Sequence, residues 1–134
     1  MNRRENRELC MKILYQMGAT KDFTENRVDE YVAYEEISQE GFKYGRQLIS
    51  TYLQNKEAVD EAIQKNSKGW KLERIAKVDL AILRMASTEL LFLKETPVKV
   101  VINEAVEIGK IYADKDSYSF INGILGSVAN GESK

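Results

Sequence analysis

The chain has 134 residues, enough for one domain with a sizeable core. Hydrophobic residues make up 43% and charged residues 31%, which excludes a disordered tail, and the formal net charge is only −1. The absence of histidine and a single cysteine, Cys10, exclude His-dependent triads, His–Cys pairs, a disulfide and a Cys-cluster zinc site.

One proline and eight glycines are few for an all-β protein. Apolar residues recur instead at helical steps of three and four. Leu9, Cys10, Ile13, Leu14 and Met17 predict a first helix over about Arg3–Met17, ended by Gly18. A short acidic helix is expected over Thr24–Ile37. The pattern from Phe42 to Ile63 predicts one long helix over Gly41–Gln64, with a kink near Lys56. Asn66–Gly69 is the clearest break, and a short turn of helix anchored by Trp70 follows over Lys71–Ala76. Val78–Lys94 is apolar on most sides, as a central core helix should be. Thr96 and Pro97 suit the N-cap and first position of a helix over Val98–Tyr112. A last helix over Tyr118–Ala129 buries Ile121, Leu125 and Val128, with a frayed tail from Asn130 to Lys134. The fold class is all-α, with about seven helices. The halves, about 1–66 and 70–130, are each small for independent stability and are expected to share packing as one domain over 1–134.

No segment approaches the roughly 18 apolar residues of a membrane span, and no signal-peptide pattern opens the chain. The composition reads as a soluble, cytoplasmic protein. Charge is unevenly placed. Residues 1–12 carry Arg3, Arg4, Arg7 and Lys12 against Glu5 and Glu8, whereas residues 22–40 hold seven acids against Arg27. Arginines at a helix N-terminus oppose the helix dipole, so a cluster of them there suggests an external anion. Tyr15 lies eleven residues beyond Arg4, about 20° away in helical projection, and offers a ring on the same edge. The functional reading is a phosphate-gripping edge with an aromatic for base stacking; the plain one is a solvated face. Asp116 reads as a helix cap, Tyr118 as core, and Phe120 as core at the edge of exposure. Cys10 reads as a core thiol. Glu104 and Glu107 read as structural or surface acids, because four-helix di-metal sites also need histidine. Gly123 and Gly126 suggest close packing, and Gly41 and Gly45 carry no message. No constellation supports catalysis, and no cofactor or metal is implied.

The blocks Trp70–Arg84, Glu89–Leu90, Pro97–Glu107 and Phe120–Leu125, with Arg3, Arg4, Arg7, Leu14 and Tyr15, are similar to the bacterial NusB family over about residues 3–129. Residues 18–45 match poorly. The resemblance implies two packed three-helix bundles, no enzyme activity, and binding to boxA RNA together with NusE, a small-subunit ribosomal protein. It implies a factor that helps RNA polymerase resist termination with NusA and NusG, notably in ribosomal RNA operons. Carried over by position, Arg3, Arg4, Arg7, Tyr15, Asp116 and Phe120 would bind RNA, and Asp79 would lie at the NusE interface. Two features depart from the family pattern. Glu5 and Asn6 interrupt the arginine run, which lowers the expected RNA affinity of the chain alone, and Leu80 stands where a charge is frequent. The alternative is a helical protein–protein adaptor without RNA contact. An RNA methyltransferase fragment is disfavoured because no methyl-donor loop is present. The sequence leaves homodimerisation open.

Overall fold

A computed structural model describes residues 1–133, with the side chains of Glu132 and Ser133 left aside. Among the described residues the chain forms seven α-helices: α1 (Arg3–Thr20), α2 (Glu25–Tyr34), α3 (Lys43–Gln54), α4 (Lys56–Lys65), α5 (Lys77–Phe92), α6 (Val98–Tyr112) and α7 (Ser117–Ser133). A 3-10 turn, Leu72–Arg74, precedes α5, and no described residue lies in a strand. The all-helical class is as expected from the apolar spacing.

The boundaries depart from expectation in instructive ways. α1 passes through Gly18 and ends at Lys21, whose left-handed φ of 57° turns its N–H onto the Met17 carbonyl. The long third helix is two, because Asn55 at φ −127° leaves the helical region. The Asn55 side chain donates to the Thr51 carbonyl at 2.9 Å, closing α3 locally. Tyr52 then donates across the break to Asp60 Oδ1 at 2.9 Å. Thr96 is not the cap of α6; Pro97 occupies that position, and its carbonyl accepts from Val100 and Val101. α7 runs on to Ser133 through the segment expected to fray, while Lys134 lies outside the described residues.

α5 is the organising helix. Every residue from Ala81 to Leu90 is buried, and α1, α3, α4, α6 and α7 all pack on it. A helix buried on all sides needs cover on all sides, so the two halves of the chain share one core. That core includes Ile13, Leu14 and Met17 of α1, Leu48 and Ile49 of α3, Val59 and Ile63 of α4, Val101 and Ile108 of α6, and Leu125 of α7.

Most polar interruptions of this core are paired, the Ser87 hydroxyl of α5 being buried without a hydrogen-bond partner among the described residues. Arg84 in α5 donates to both Asp60 oxygens at 3.1 and 3.2 Å. Asn6 is only 4% exposed. Its amide donates to the Asn2 and Gly41 carbonyls, and its oxygen accepts from the Gly45 N–H at 2.9 Å. Gly45 is the tightest glycine: a Cβ there would lie 2.1 Å from the Phe42 ring. Gly45 therefore carries a packing message after all, whereas a Cβ on Gly41 would meet only ordinary contacts from 3.5 Å. Gly123 and Gly126 are not close-packing sites, since a Cβ at either meets nothing within 4 Å. No helix among the described residues is long and apolar enough to cross a membrane.

Candidate nucleic-acid interface

The first turn of α1 is built to tolerate its arginines. Asn2 accepts from the Glu5 N–H at 2.8 Å, and Glu5 accepts from the Asn2 N–H at 2.9 Å. This reciprocal capping box gives Glu5 a role: it satisfies an end donor and places an acid where the helix dipole favours one.

The three arginines have three different environments. Arg3 is exposed, and its guanidinium carbon sits 3.7 Å from the centroid of the Tyr44 ring. Arg4 donates through Nε to Glu104 at 2.9 Å and through Nη2 to the other Glu104 oxygen, with 41% of its side chain still open to solvent. Arg7 is inside the protein. Its side chain is 4% exposed, and it grips the 1%-exposed Glu89 with contacts of 3.0 and 2.6 Å. Tyr44 donates its hydroxyl to the same Glu89 at 2.7 Å. Arg7 also approaches Glu104 at 3.7 Å.

These contacts form one chain from surface to core: Arg3 on Tyr44, Tyr44 and Arg7 on Glu89, Arg7 and Arg4 on Glu104. Its electrostatics are mutually consistent. The hydrogen bond from Arg4 holds the Glu104 carboxyl below its usual value and raises the Arg4 guanidinium in return. Burial opposes the charge on Arg7, yet the Glu89 hydrogen bond and charge outweigh it and raise its pKa. Burial, then the bond to Glu89, pushes the Tyr44 hydroxyl up to about 12. Three cations face two carboxylates within this chain of contacts, and Glu8 and Glu107 also lie near enough to act on Arg4, so the positive character that is left sits on the outermost arginines. The edge offers Arg3 and the open part of Arg4 to an anion; Arg7 has no free surface and holds the helix start in place. This departs from its expected place on the RNA surface.

Tyr15, 39% exposed, stands further along α1. It forms the wall between two concavities. One of about 310 Å³ includes Lys12, Tyr31 and Tyr112, and the other, of about 490 Å³, includes Phe23, Leu80 and Arg84. Tyr112 shows 37% of its surface, with the Lys12 ammonium 5.2 Å from its ring centroid.

Asp116 and Phe120 lie elsewhere. Asp116 is exposed immediately before α7, and Phe120 is half-buried one turn into the helix. Both line a groove of about 490 Å³ shared with Lys68 and Trp70. Tyr118, expected in the core, is 44% exposed, and Trp70, expected to anchor the turn that follows it, has 54% of its surface open. Asp79 is 6% exposed in the first turn of α5. Burial raises its carboxyl, the hydrogen bond with Ser117 opposes this, and Asp114 adds to the rise. It fastens the start of α7 to the start of α5 and presents almost no surface to a partner. Cys10 is wholly buried, with its thiol pushed well up by burial.

Sequence reading missed Tyr44, Glu89 and Glu104 as members of this edge. The available signal was a charge inside an apolar helix: Glu89 and Arg84 both interrupt the α5 pattern, and both proved to be half of a buried pair.

The NusB family model, described as "NusB family", matches residues 4–130. The chain is 39% identical over 130 residues to the transcription antitermination protein NusB of Clostridium acetobutylicum, covering 97% of this chain and 96% of that protein. The structure of T. maritima NusB superposes with a TM-score of 0.88 at 32% identity, covering 100% of this chain and 94% of that one. A structure of the antitermination factors NusB and NusE in complex with dsRNA contains a similar chain, with a TM-score of 0.84 at 25% identity and coverage of 98% and 99%.

Proposed function

The chain belongs to the NusB family, and from that premise we propose that it is a transcription antitermination factor that binds boxA RNA together with NusE. In this role it works by binding alone and carries out no reaction. It helps RNA polymerase, with NusA and NusG, to resist termination in ribosomal RNA operons. The observation that carries the reading is the α1 edge, where Arg3 and the open part of Arg4 share a helix with the half-exposed ring of Tyr15. Arg3 and Arg4 take phosphates. Tyr15, and Phe120 on the α7 side, take unpaired bases by stacking, and Asp116 accepts from a base amino group. Arg7 acts through the others by fixing the edge. Asp79 acts on the NusE side through the α5–α7 junction that it ties. The whole chain, residues 1–134, serves as one RNA-binding domain.

With so few free cations, RNA affinity should be modest and salt-sensitive, falling by roughly 0.7 log units per phosphate contact for each log unit of salt. A second protein that adds cations and shape raises it by linkage. Fluorescence anisotropy with labelled boxA RNA and a scrambled control, with and without NusE at two salt concentrations, tests this. Preferential boxA binding that tightens with NusE supports the assignment. Absence of any boxA preference overturns it.

A second reading, a helical adaptor without direct RNA contact, draws on the internal use of Arg4 and Arg7 by Glu104 and Glu89. It predicts that Arg3→Ala and Arg4→Ala leave RNA affinity of the NusE complex unchanged.

A further inference from the structure

Outside the α1 edge, one surface combines features that neither the core nor the capping of the helices explains. Residues 65–77 contain Lys65, Lys68, Lys71, Arg74 and Lys77 against a single acid, Glu73. Lys68, Lys71, Arg74 and Lys77 are all exposed, and none forms an ion pair among the described residues. In their midst is Trp70, the only tryptophan of the chain, with 54% of its surface open. A large ring left in water is costly, since apolar area is normally removed from it.

The exposure is not slack in the backbone. The Gln64 amide and the Ser67 hydroxyl both donate to the Trp70 carbonyl, at 2.6 and 2.5 Å. Gln64 Oε1 accepts from the Leu72 N–H at 3.1 Å, and the Trp70 N–H returns to the Ser67 carbonyl at 3.1 Å. Lys68 at φ 53° and Gly69 at φ 90° make the left-handed turn that carries the loop outward. Lys68 thus bears a backbone strain that glycine would avoid. The ring is held out on a fixed frame.

Opposite it, across the groove of about 490 Å³, stand Phe120 and Asp116. The groove is therefore polarised. Lys68 and the Trp70 ring come from the loop side and Asp116 and Phe120 from α7, while Lys71 and Arg74 line an adjoining concavity of about 370 Å³ together with Lys68 and Trp70. A phosphodiester strand fits only one way, with phosphates toward the lysines and a base turned inward, away from the repulsion of Asp116. An acidic peptide has charges for the cations but no flat partner for Trp70, and Asp116 opposes it.

We propose that the Trp70 loop is a second RNA-contact site, in which one unpaired nucleobase stacks on the Trp70 ring while Lys68, Lys71 and Arg74 hold the adjoining phosphates. This rests on the RNA-binding reading above and extends it to a face that α1 does not reach. It makes RNA binding bipartite, with α1 and the Trp70 loop as separate grips.

Because Trp70 is the only tryptophan, its fluorescence reports on this site directly. Single-stranded boxA RNA is titrated into the full chain with NusE. Protein fluorescence excited for tryptophan is followed in parallel with the anisotropy of a 5′-labelled strand, with a matched titration in which NusE alone receives RNA. The expected result is quenching that saturates with the anisotropy. Trp70→Ala should weaken binding about tenfold and Trp70→Phe much less. Combined Lys68→Ala, Lys71→Ala and Arg74→Ala should reduce the salt slope by about 2. All four positions are exposed, and circular dichroism confirms that the helices persist. Anisotropy change without quenching, or variants that bind as tightly as the parent, overturns the Trp70 site and leaves the α1 reading standing. No RNA binding by either signal overturns both. Equal quenching by polyglutamate replaces RNA recognition with general anion capture, and overturns the proposal.

Discussion

Replacing Arg7 with alanine separates the two roles an arginine at this position can have. The substitution leaves Glu89, 1% exposed, as a buried carboxylate with Tyr44 as its remaining donor. Breaking a buried ion pair from one side costs about 3–5 kcal/mol, because the orphaned charge has lost its compensation. For 134 residues the unfolding entropy is about 0.28 kcal/mol per kelvin, so the loss corresponds to a fall in Tm of about 11–18 °C. Arg4→Ala is the control. Arg4 is 41% exposed, its partner accessible to water, and the expected loss is below about 1 kcal/mol. Removing both buried partners together, as Arg7→Met with Glu89→Leu, should recover most of the loss, since no charge is then left unpaired. Differential scanning calorimetry at pH 7 gives the three values, and anisotropy at a temperature where all variants are folded gives RNA affinity. An Arg7→Ala protein that melts within about 2 °C of the parent but binds RNA at least tenfold more weakly refutes the structural assignment of Arg7.

Three further expectations concern stability. Gly45→Ala should destabilise by about 1–3 kcal/mol, because the added Cβ meets the buried Phe42 ring, whereas Gly123→Ala should be neutral or stabilising; urea titration of each checks this. The folded Glu104 carboxyl titrates below its unfolded value, so its contribution is present above about pH 4.5 and is lost as pH falls through the folded value. Glu104→Gln should therefore differ from the parent in Tm at pH 7 and converge with it on acidification. Asp79 has the opposite sign. Its folded pKa is raised, so the charged form is the less favoured one in the native state, and stability falls as pH rises through that value. Asp79→Asn should flatten that part of the pH–Tm profile while leaving the RNA affinity of the chain alone unchanged.

The helical segments were legible because each buries a stripe, and a stripe leaves a period of three and four in the sequence, although α3 and α4 read as one helix because the stripe continues across Asn55. α5 announced its central place by being apolar nearly all round. Ends were less legible: Gly18 looked like a stop, but α1 passed through it and turned only at Lys21, where a backbone hydrogen bond to Met17 decides the matter. The arginine run was visible as composition, yet composition does not distinguish an arginine that waits for an anion from one that already has one. Arg7 finds Glu89 from 82 positions away, and Arg4 finds Glu104 from 100. Asp79, expected at a partner interface, is 6% exposed and bonds to Ser117 at the start of α7.

What the sequence determined by itself was local: helical periods, the break at Asn66–Gly69, and the absence of histidine. These depend on neighbours within a turn or two, so they can be read in order along the chain. What only the tertiary structure decided was which charges are spent and which remain free. Ion pairs between distant helices, the Phe42 ring over Gly45 and the outward turn of Trp70 arise from how helices pack on α5. The energy of a charge or a ring depends on its surroundings after packing, and no local window of sequence contains them.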